Sequence, residues 1–561
     1  MPLTPTSPPT LPTSPSAPSA PRAFEAVAIA VLALGFFLAV HGLVPANPAR
    51  FEWMLDGDAA QHLLGWLNFR AEPWAWPPGR IAGYGYPAGT TVVFTDSIPL
   101  LALLFKPLSP WLPAGWHYFG LWLWACYALN GWFGLRLVSR LTSDPLVRLL
   151  AAAFFIAAPP VMLRSGGHES LMAHWIVLAG IEGCLRPWRL RRWLVLCMVA
   201  AGVHPYLLVM ALGLMIASLV TSLVTSPAAS SAAPGARITV ARTAADLGII
   251  FGGTLLVMYL AGYFSGSGHV AAPGFGHFSM NLNAFIDPWF NWSRFMRQGG
   301  VGTPGQYEGF MFLGAGMVAL CVAGVALWAT QPVAPSRLLW PLLVVTGAFT
   351  LLALSNVVMW GDFQVAHVPL PDWLEQAGSV FRASGRFGWP LFYLVMLFAL
   401  WSVIRHLPAR MAAAALAVGL CVQVIDQEGK FEEFRETFSR RQAWTSPLRS
   451  PAWAEMAARS RVLVLISDER MDRIYVPYAV LAAQHRLATN AAHIARADAA
   501  SDPLEDRFVH DLAQGRVDPA ALVVITDARL LARVAPALRK RFVFLDGVWV
   551  LAGGAPAETS P

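Results

Sequence analysis

Residues 24–44 read FEAVAIAVLALGFFLAVHGLV, an apolar run with a single carboxylate near its start. A helix needs about 20 apolar residues to cross about 30 Å of hydrocarbon, and this stretch supplies them. Comparable runs follow at Trp116 to Val138, Leu171 to Leu185, Tyr206 to Val224, Leu247 to Phe264, Phe310 to Ala329, Leu338 to Met359 and Trp389 to Ile404. The composition agrees, because 56% of the 561 residues are hydrophobic and only 13% are charged. With a mean hydropathy of +0.51, the chain is more apolar than any soluble core of this length requires. The first run also has the outline of a late signal peptide, with Val44-Pro45-Ala46 as a poor cleavage site. A retained first transmembrane helix is the better reading.

The formal charge of +7 comes almost wholly from arginine, since Lys106, Lys430 and Lys540 are the only lysines. Basic runs with interleaved aromatics are absent, which argues against a nucleic-acid partner. Cytoplasmic connectors collect Arg and Lys. Five groups fit that role: Arg136, Arg140 and Arg148; Arg186, Arg189, Arg191 and Arg192; Arg237 and Arg242; Arg337; Arg405 and Arg410. The alternate connectors, Pro45 to Ser97, Ser265 to Glu308 and Gly361 to Gly388, then face outward. They are the long ones, and long ordered loops tend to carry function.

Proline breaks the apolar path at Ala158-Pro159-Pro160, at His204-Pro205 and around Lys106-Pro107. A proline frees carbonyls that only a protein-lined cavity tolerates at membrane depth; an ordinary kink is the alternative. The expected number of crossings is about 11. The five cysteines sit in or beside apolar runs and none forms a CxxC pair, so neither a disulfide framework nor a thiolate zinc site is indicated.

Three regions follow from composition. Residues 1–23 are a Pro/Ser-rich tail expected to be disordered, and residues 24–426 carry the spans. Residues 427–561 alternate short β-branched runs with helical periods, the pattern of a small α/β domain. Span parity puts that domain opposite the N-terminus, outside the cytoplasm. Ser226 to Ala236 reads as a linker. The fold class expected is thus an α-helical polytopic membrane protein with a small C-terminal α/β domain.

The first outer loop opens Asp56-Gly57-Asp58-Ala59-Ala60-Gln61-His62-Leu63-Leu64-Gly65-Trp66-Leu67. Leu63, Trp66 and Leu67 at helical spacing describe an amphipathic helix lying at the interface, with both carboxylates at its start. Carboxylates also cap helix N-termini. The loop continues through Tyr84 and Tyr86 to Phe94-Thr95-Asp96-Ser97-Ile98-Pro99. Aromatic faces stack on sugar rings and carboxylates accept hydroxyl hydrogen bonds, although interfacial aromatics equally form a membrane belt. Further on, His168-Glu169 precedes His174 by too long a spacing for a zinc-protease HExxH. No lysine follows the glycine pattern of a phosphate-binding loop, so direct use of ATP is not expected.

The stretches Gly57-Asp58, Gln61-His62, Gly65-Trp66, Phe94 to Pro99, Gln306-Tyr307-Glu308-Gly309-Phe310, Phe381-Arg382 and Ser384-Gly385-Arg386-Phe387 resemble an uncharacterised bacterial multi-pass membrane family. That family is similar to GT-C-type glycosyltransferases, which use polyprenyl-phosphate sugars. The resemblance runs from about Phe24 to Asp426. It implies an enzyme of the bacterial inner membrane that moves a hexosyl or pentosyl group from a polyprenyl-phosphate donor to an extracytoplasmic glycan or lipid acceptor. An acidic residue of the first outer loop would be the base, a position that Asp58 and Asp56 match. Asp56-Gly57-Asp58 departs from the adjacent acidic pair of some members, which leaves open which aspartate acts.

A lipid-phosphate leaving group asks for arginine near the outer surface. Arg382 and Arg386, four residues apart, would share one face if helical. His62, Asp96, His168, Glu169, Glu308, Tyr84 and Tyr86 complete the expected substrate-binding set. No cofactor is demanded by any motif, and a divalent metal stays open. The competing expectation is a transporter or flippase of lipid-linked glycans, or an assembly subunit that binds them. A transporter would place polar residues at midplane in repeated halves, and no repeat is visible.

Overall fold

The computed structural model describes residues 20–225, 240–265, 274–495 and 501–553. Most of the Pro/Ser-rich tail and the whole Ser226 to Ala236 linker lie outside them. Seven helices among the described residues are long and apolar enough to cross a membrane: Ala23–His41, Pro145–Arg164, Pro205–Val224, Ala241–Ala261, Arg337–Leu354, Ser384–His406 and Ala409–Arg441. Packed among them are Phe119–Val138, Trp175–Cys184, Leu190–Val203 and Ala315–Thr330, which are shorter or less apolar. Large apolar side chains such as Val27, Val31, Leu255, Leu256, Val322, Val325 and Leu351 stand exposed along these helices. Rows of that kind belong against hydrocarbon, and the protein is a multi-pass membrane protein.

Each sequence break opens a new element. Pro159 begins Pro159–Arg164 after the extended Ala158, Pro205 begins Pro205–Thr225 after the extended His204, and Lys106–Trp111 is a 3-10 turn. Proline suits a helix start because its missing N–H would have had no partner there.

Ala409–Arg441 continues well past Asp426, where the apolar composition ends. The helix stays inside the protein because its polar residues complete broken backbone elsewhere. The Asp426 carboxylate accepts from the Ser293 hydroxyl, from the amides of Arg294 at 3.0 Å and Phe295 at 3.2 Å, and from the amide of Ala315 at 2.9 Å. Gln423 donates to the Leu313 carbonyl at 2.9 Å and accepts from the Met317 amide at 3.0 Å. The Ala315 and Met317 amides are orphan donors at the start of Ala315–Thr330. The two helices nearly touch there: a Cβ on Gly316 would lie 2.0 Å from the Gly419 carbonyl oxygen.

The C-terminal domain is a five-stranded sheet in the order Ala488–Thr489, Val462–Ile466, Ala521–Ile525, Val548–Ala552, Val543–Leu545. The first three strands are parallel and the last two antiparallel. Strict alternation divides the central strands between two cores. Val462, Val464, Ile466, Val523 and Ile525 form the domain's own core. Leu463, Leu465, Leu522 and Val524 belong to the apolar cluster that continues into the membrane part, through Tyr475, Tyr478 and Ala479. The domain is therefore seated on the bundle and not tethered beside it.

Candidate functional site

The helix Gly57–Ala71 organises the site. Gly57 takes a positive φ of 55°, which turns the chain into the helix directly after Asp56. Every residue from Ala59 to Phe69 is buried, so the helix does not lie amphipathically at the interface as its spacing suggests. The α/β domain covers it with Val476–His485. At Gly65 an added Cβ would come within 2.3 Å of Thr95, so glycine is what lets the Thr95–Ser97 turn close on the helix. That turn is fastened by Ser97 Oγ donating to the His62 carbonyl at 2.7 Å. It carries Asp96 in a left-handed conformation, φ 50°.

Two acid–histidine links radiate from the helix. His62 Nδ1 is bonded to Glu169 Oε2, with both side chains buried. Burial would lower the His62 pKa, but Glu169, Asp96 and Asp58 together raise it. Asp58, with its side chain about half exposed, lies 3.5 Å from His168 Nδ1. His168 Nε2 is 3.8 Å from Glu308 Oε1. Burial brings the His168 pKa down to about 4 despite these two carboxylates, with Arg386 and Arg164 adding to the drop. The ring is uncharged at neutral pH.

Glu308 is the buried hub. Arg164 Nη1 donates to its Oε2 at 2.6 Å and Nη2 to its backbone carbonyl at 2.9 Å. Arg386 grips the same carboxylate through Nε and Nη2. Burial alone would raise the Glu308 pKa; the two guanidiniums overwhelm it and hold the carboxyl well below its usual range. The Arg386 guanidinium also sits 4.7 Å over the Tyr206 ring, and the Tyr206 hydroxyl accepts from the Ala383 amide at 3.0 Å. Across the site His204 Nε2 is 3.9 Å from Asp96 Oδ1.

The structure thus brings Asp58, His168, Glu308 and Arg386 into one chain of contacts, with His62, Glu169 and Asp96 beside it. Other expected residues lie elsewhere. Asp56 is held by Arg441 at 2.8 Å, at the far end of the last long helix. Arg382 is exposed, lies 5.3 Å over the Phe278 ring, and makes no hydrogen bond or ion pair with other described residues. It does not share a helical face with Arg386, because helical geometry begins only at Ser384. Tyr84 is buried in a bridge to Thr489, and Tyr86 stacks on Phe508 with ring centroids 6.3 Å apart. Both tyrosines dock the first loop onto the α/β domain.

Arg441 and Tyr475 were not foreseen. Arg441 looks in sequence like any charge at a helix end. The Tyr475 hydroxyl is buried with no hydrogen-bond partner among the described residues; burial raises its pKa, and the charges of Tyr84 and Asp58 add to the rise. Among the described residues no three His, Cys, Asp or Glu side chains gather as a metal site.

No curated protein matches this sequence. Two solved structures are similar to the chain in overall path. One is the archaeal oligosaccharyltransferase AglB from Archaeoglobus fulgidus in complex with an inhibitory peptide and a dolichol-phosphate, at 11% identity and a TM-score of 0.37, covering 96% of this chain and 75% of that one. The other is ArnT from Cupriavidus metallidurans bound to undecaprenyl phosphate, at 12% identity and a TM-score of 0.43, covering 96% of this chain and 99% of that one. Two family models match directly: a domain of unknown function, DUF6311, over residues 30–428, and the DUF6311 C-terminal domain over residues 452–553. The first match spans well over half of the sequence, and the chain belongs to the DUF6311 family.

Proposed function

We propose that this protein is a GT-C-type glycosyltransferase that moves a sugar from a polyprenyl-phosphate donor to an acceptor hydroxyl on the outer side of the membrane. The observation that carries the reading is the Asp58–His168–Glu308 line. It presents a half-exposed carboxylate at the rim of a buried arginine–glutamate cluster, beneath the α/β domain.

In the reaction the acceptor oxygen attacks the anomeric carbon and the bond from that carbon to the phosphate oxygen breaks. The polyprenyl phosphate leaves with the electron pair, and the acceptor proton passes to Asp58 as general base. His168, uncharged at neutral pH, orients Asp58 without neutralising it. Which ring nitrogen carries the proton follows from the partners and not from observation. Arg386 is committed to Glu308 and serves as a positioning residue. Arg382, uncommitted, is the guanidinium suited to the departing phosphate.

The protein reconstituted in nanodiscs with a panel of undecaprenyl-phosphate sugars, and with a bacterial glycolipid and glycan extract as the source of acceptor hydroxyls, is expected to form free undecaprenyl phosphate from at least one of the donors. Movement of intact donor across a liposome bilayer, with no free lipid phosphate formed, would replace the reading with that of a flippase.

A further inference from the structure

The end of the bundle away from Asp58 is crowded with positive charge. Phe119 begins its helix within ring contact of His62, with centroids 6.4 Å apart. Arg136 lies about 26 Å further along that helix at 1.5 Å per residue. Around it stand Arg140, Arg186, Arg189, Arg191 and Arg192, lining two clefts of about 360 and 720 Å³ that share Arg136, Arg186, Arg189 and Arg192. Among the described lining residues the only carboxylate is Glu182. It is already taken by Arg136 at 3.1 Å and by Arg186.

Part of the remaining charge has a structural use. Arg140 donates to the Leu185 carbonyl at 2.5 Å and Arg192 to the Pro187 carbonyl at 3.2 Å, closing the end of Trp175–Cys184. Asp246, on a neighbouring helix, is engaged by the Trp188 indole N–H at 2.8 Å. The side chains of Arg189 and Arg191 make no hydrogen bond or ion pair with other described residues. Like charges gathered at one cleft repel one another, and an anion placed among them relieves that repulsion.

The larger cleft does not end at the arginines. It runs up the bundle past Val195 and Val199 to Phe133 and Trp175, and Val195 is 52% exposed on the outer surface of the bundle. A mouth of guanidiniums leading to an apolar wall open to hydrocarbon fits an amphiphile with an anionic head. Free phosphate would leave the wall unused, and a donor lipid held here would lie a helix length away from Asp58.

We propose that this cleft is a binding site for an anionic glycerophospholipid, with its phosphate among Arg189, Arg191 and Arg192 and an acyl chain along Val195, Val199 and Phe133. The site is independent of the transfer reaction proposed above. Juxtamembrane basic residues attract anionic lipid, and three of them support a preference of at least about tenfold over a zwitterionic lipid.

Native mass spectrometry of the purified protein, titrated with phosphatidylglycerol, phosphatidylcholine and undecaprenyl phosphate, tests this. Wild type is expected to retain phosphatidylglycerol at least about tenfold more tightly than phosphatidylcholine. The Arg189→Ala/Arg191→Ala/Arg192→Ala variant is expected to lose that preference. Should the triple variant fail to accumulate, Arg189→Ala/Arg191→Ala breaks no side-chain hydrogen bond among the described residues and must lower the preference as well. Equal retention of the two phospholipids by wild type, or a preference that survives these substitutions, overturns the proposal. So does arginine-dependent binding in which undecaprenyl phosphate displaces phosphatidylglycerol.

Discussion

Arg386 holds Glu308 with two hydrogen bonds, Nε to Oε2 at 2.9 Å and Nη2 to Oε1 at 2.5 Å, while Arg164 Nη1 shares Oε2 at 2.6 Å. Two buried guanidiniums share one buried carboxylate, so removing the carboxylate strands both. Glu308→Gln is expected to destabilise the protein by about 3–5 kcal/mol, the usual cost of leaving a buried charge unpaired. Arg386→Lys should be milder than Arg386→Ala, because a point charge keeps the attraction but loses the two-pronged geometry. Unfolding in detergent, followed by tryptophan fluorescence, checks both. A Glu308→Gln protein as stable as wild type would show that the cluster contributes nothing to the fold.

Asp56 and Asp58 are two residues apart and have different surroundings. Arg441, itself partly buried, holds the largely exposed Asp56 carboxylate, and pairs with one partner in solvent are worth about 0–1 kcal/mol. Asp56→Asn should therefore change stability little and leave sugar transfer within a few-fold of wild type. Loss of transfer in this variant with normal folding would move the base from Asp58 to Asp56.

His168 has a folded pKa of about 4 against an ordinary value of 6.5. Between those values the unfolded chain binds a proton that the folded protein refuses, so stability falls as pH is lowered through that window, at most by about 1.4 kcal/mol per pH unit for one group. His62 is shifted upward, stays charged in both states across the same window, and adds no slope there. The low pKa of Glu308 adds a further loss in the acid half of that window and below it, as the unfolded carboxyl protonates around its ordinary value of 4.5. His117 is also brought down to about 4 by burial, so His168→Gln is expected to lessen the slope of the pH 6.5 to 4 limb of the unfolding midpoint by one group's share and not to abolish it. An unchanged limb would assign the slope to another group.

The first outer loop and the α/β domain are joined by backbone. The Gly85 and Tyr86 amides donate to the Thr489 carbonyl at 2.9 Å, and the Thr489 amide donates to the Gly83 carbonyl at 2.7 Å. Whatever side of the membrane holds one holds the other. With the arginine clusters cytoplasmic, a reporter fused after Gly553 should be active only if it works outside the cytoplasm. Activity of a cytoplasm-only reporter there would reverse the orientation.

The apolar runs were legible because hydrocarbon thickness sets a length that sequence shows directly. Asp58 was legible from the residue types of the first outer loop, and His168 and Glu308 from those of two later segments. Their convergence was not, since His168 and Glu308 lie on different connectors. The 382–386 spacing misled because it assumes a helix from Arg382, whereas the chain turns at Ala383 and aims Arg386 inward. The helix after Asp56 has an amphipathic spacing, yet a domain encoded some 400 residues later buries it. Polarity rises at Asp426 in the sequence, and what it serves there, the amides of residues 294, 295 and 315, could be seen only in the folded protein.

The most direct test compares wild type with Asp58→Asn in nanodiscs supplied with a glycolipid and glycan acceptor mixture, measuring both retention of a polyprenyl-phosphate sugar and formation of free polyprenyl phosphate. Asp58 is half exposed at a helix start, where a charge contributes about 0.3–1 kcal/mol of stability, whereas loss of general-base assistance lowers the rate by about 10²–10⁴. The account predicts an Asp58→Asn protein that folds and binds donor as wild type does but forms free lipid phosphate at least about 100-fold more slowly. Wild-type turnover in the Asp58→Asn protein, or a wild type that neither binds nor consumes any polyprenyl-phosphate sugar, would contradict it.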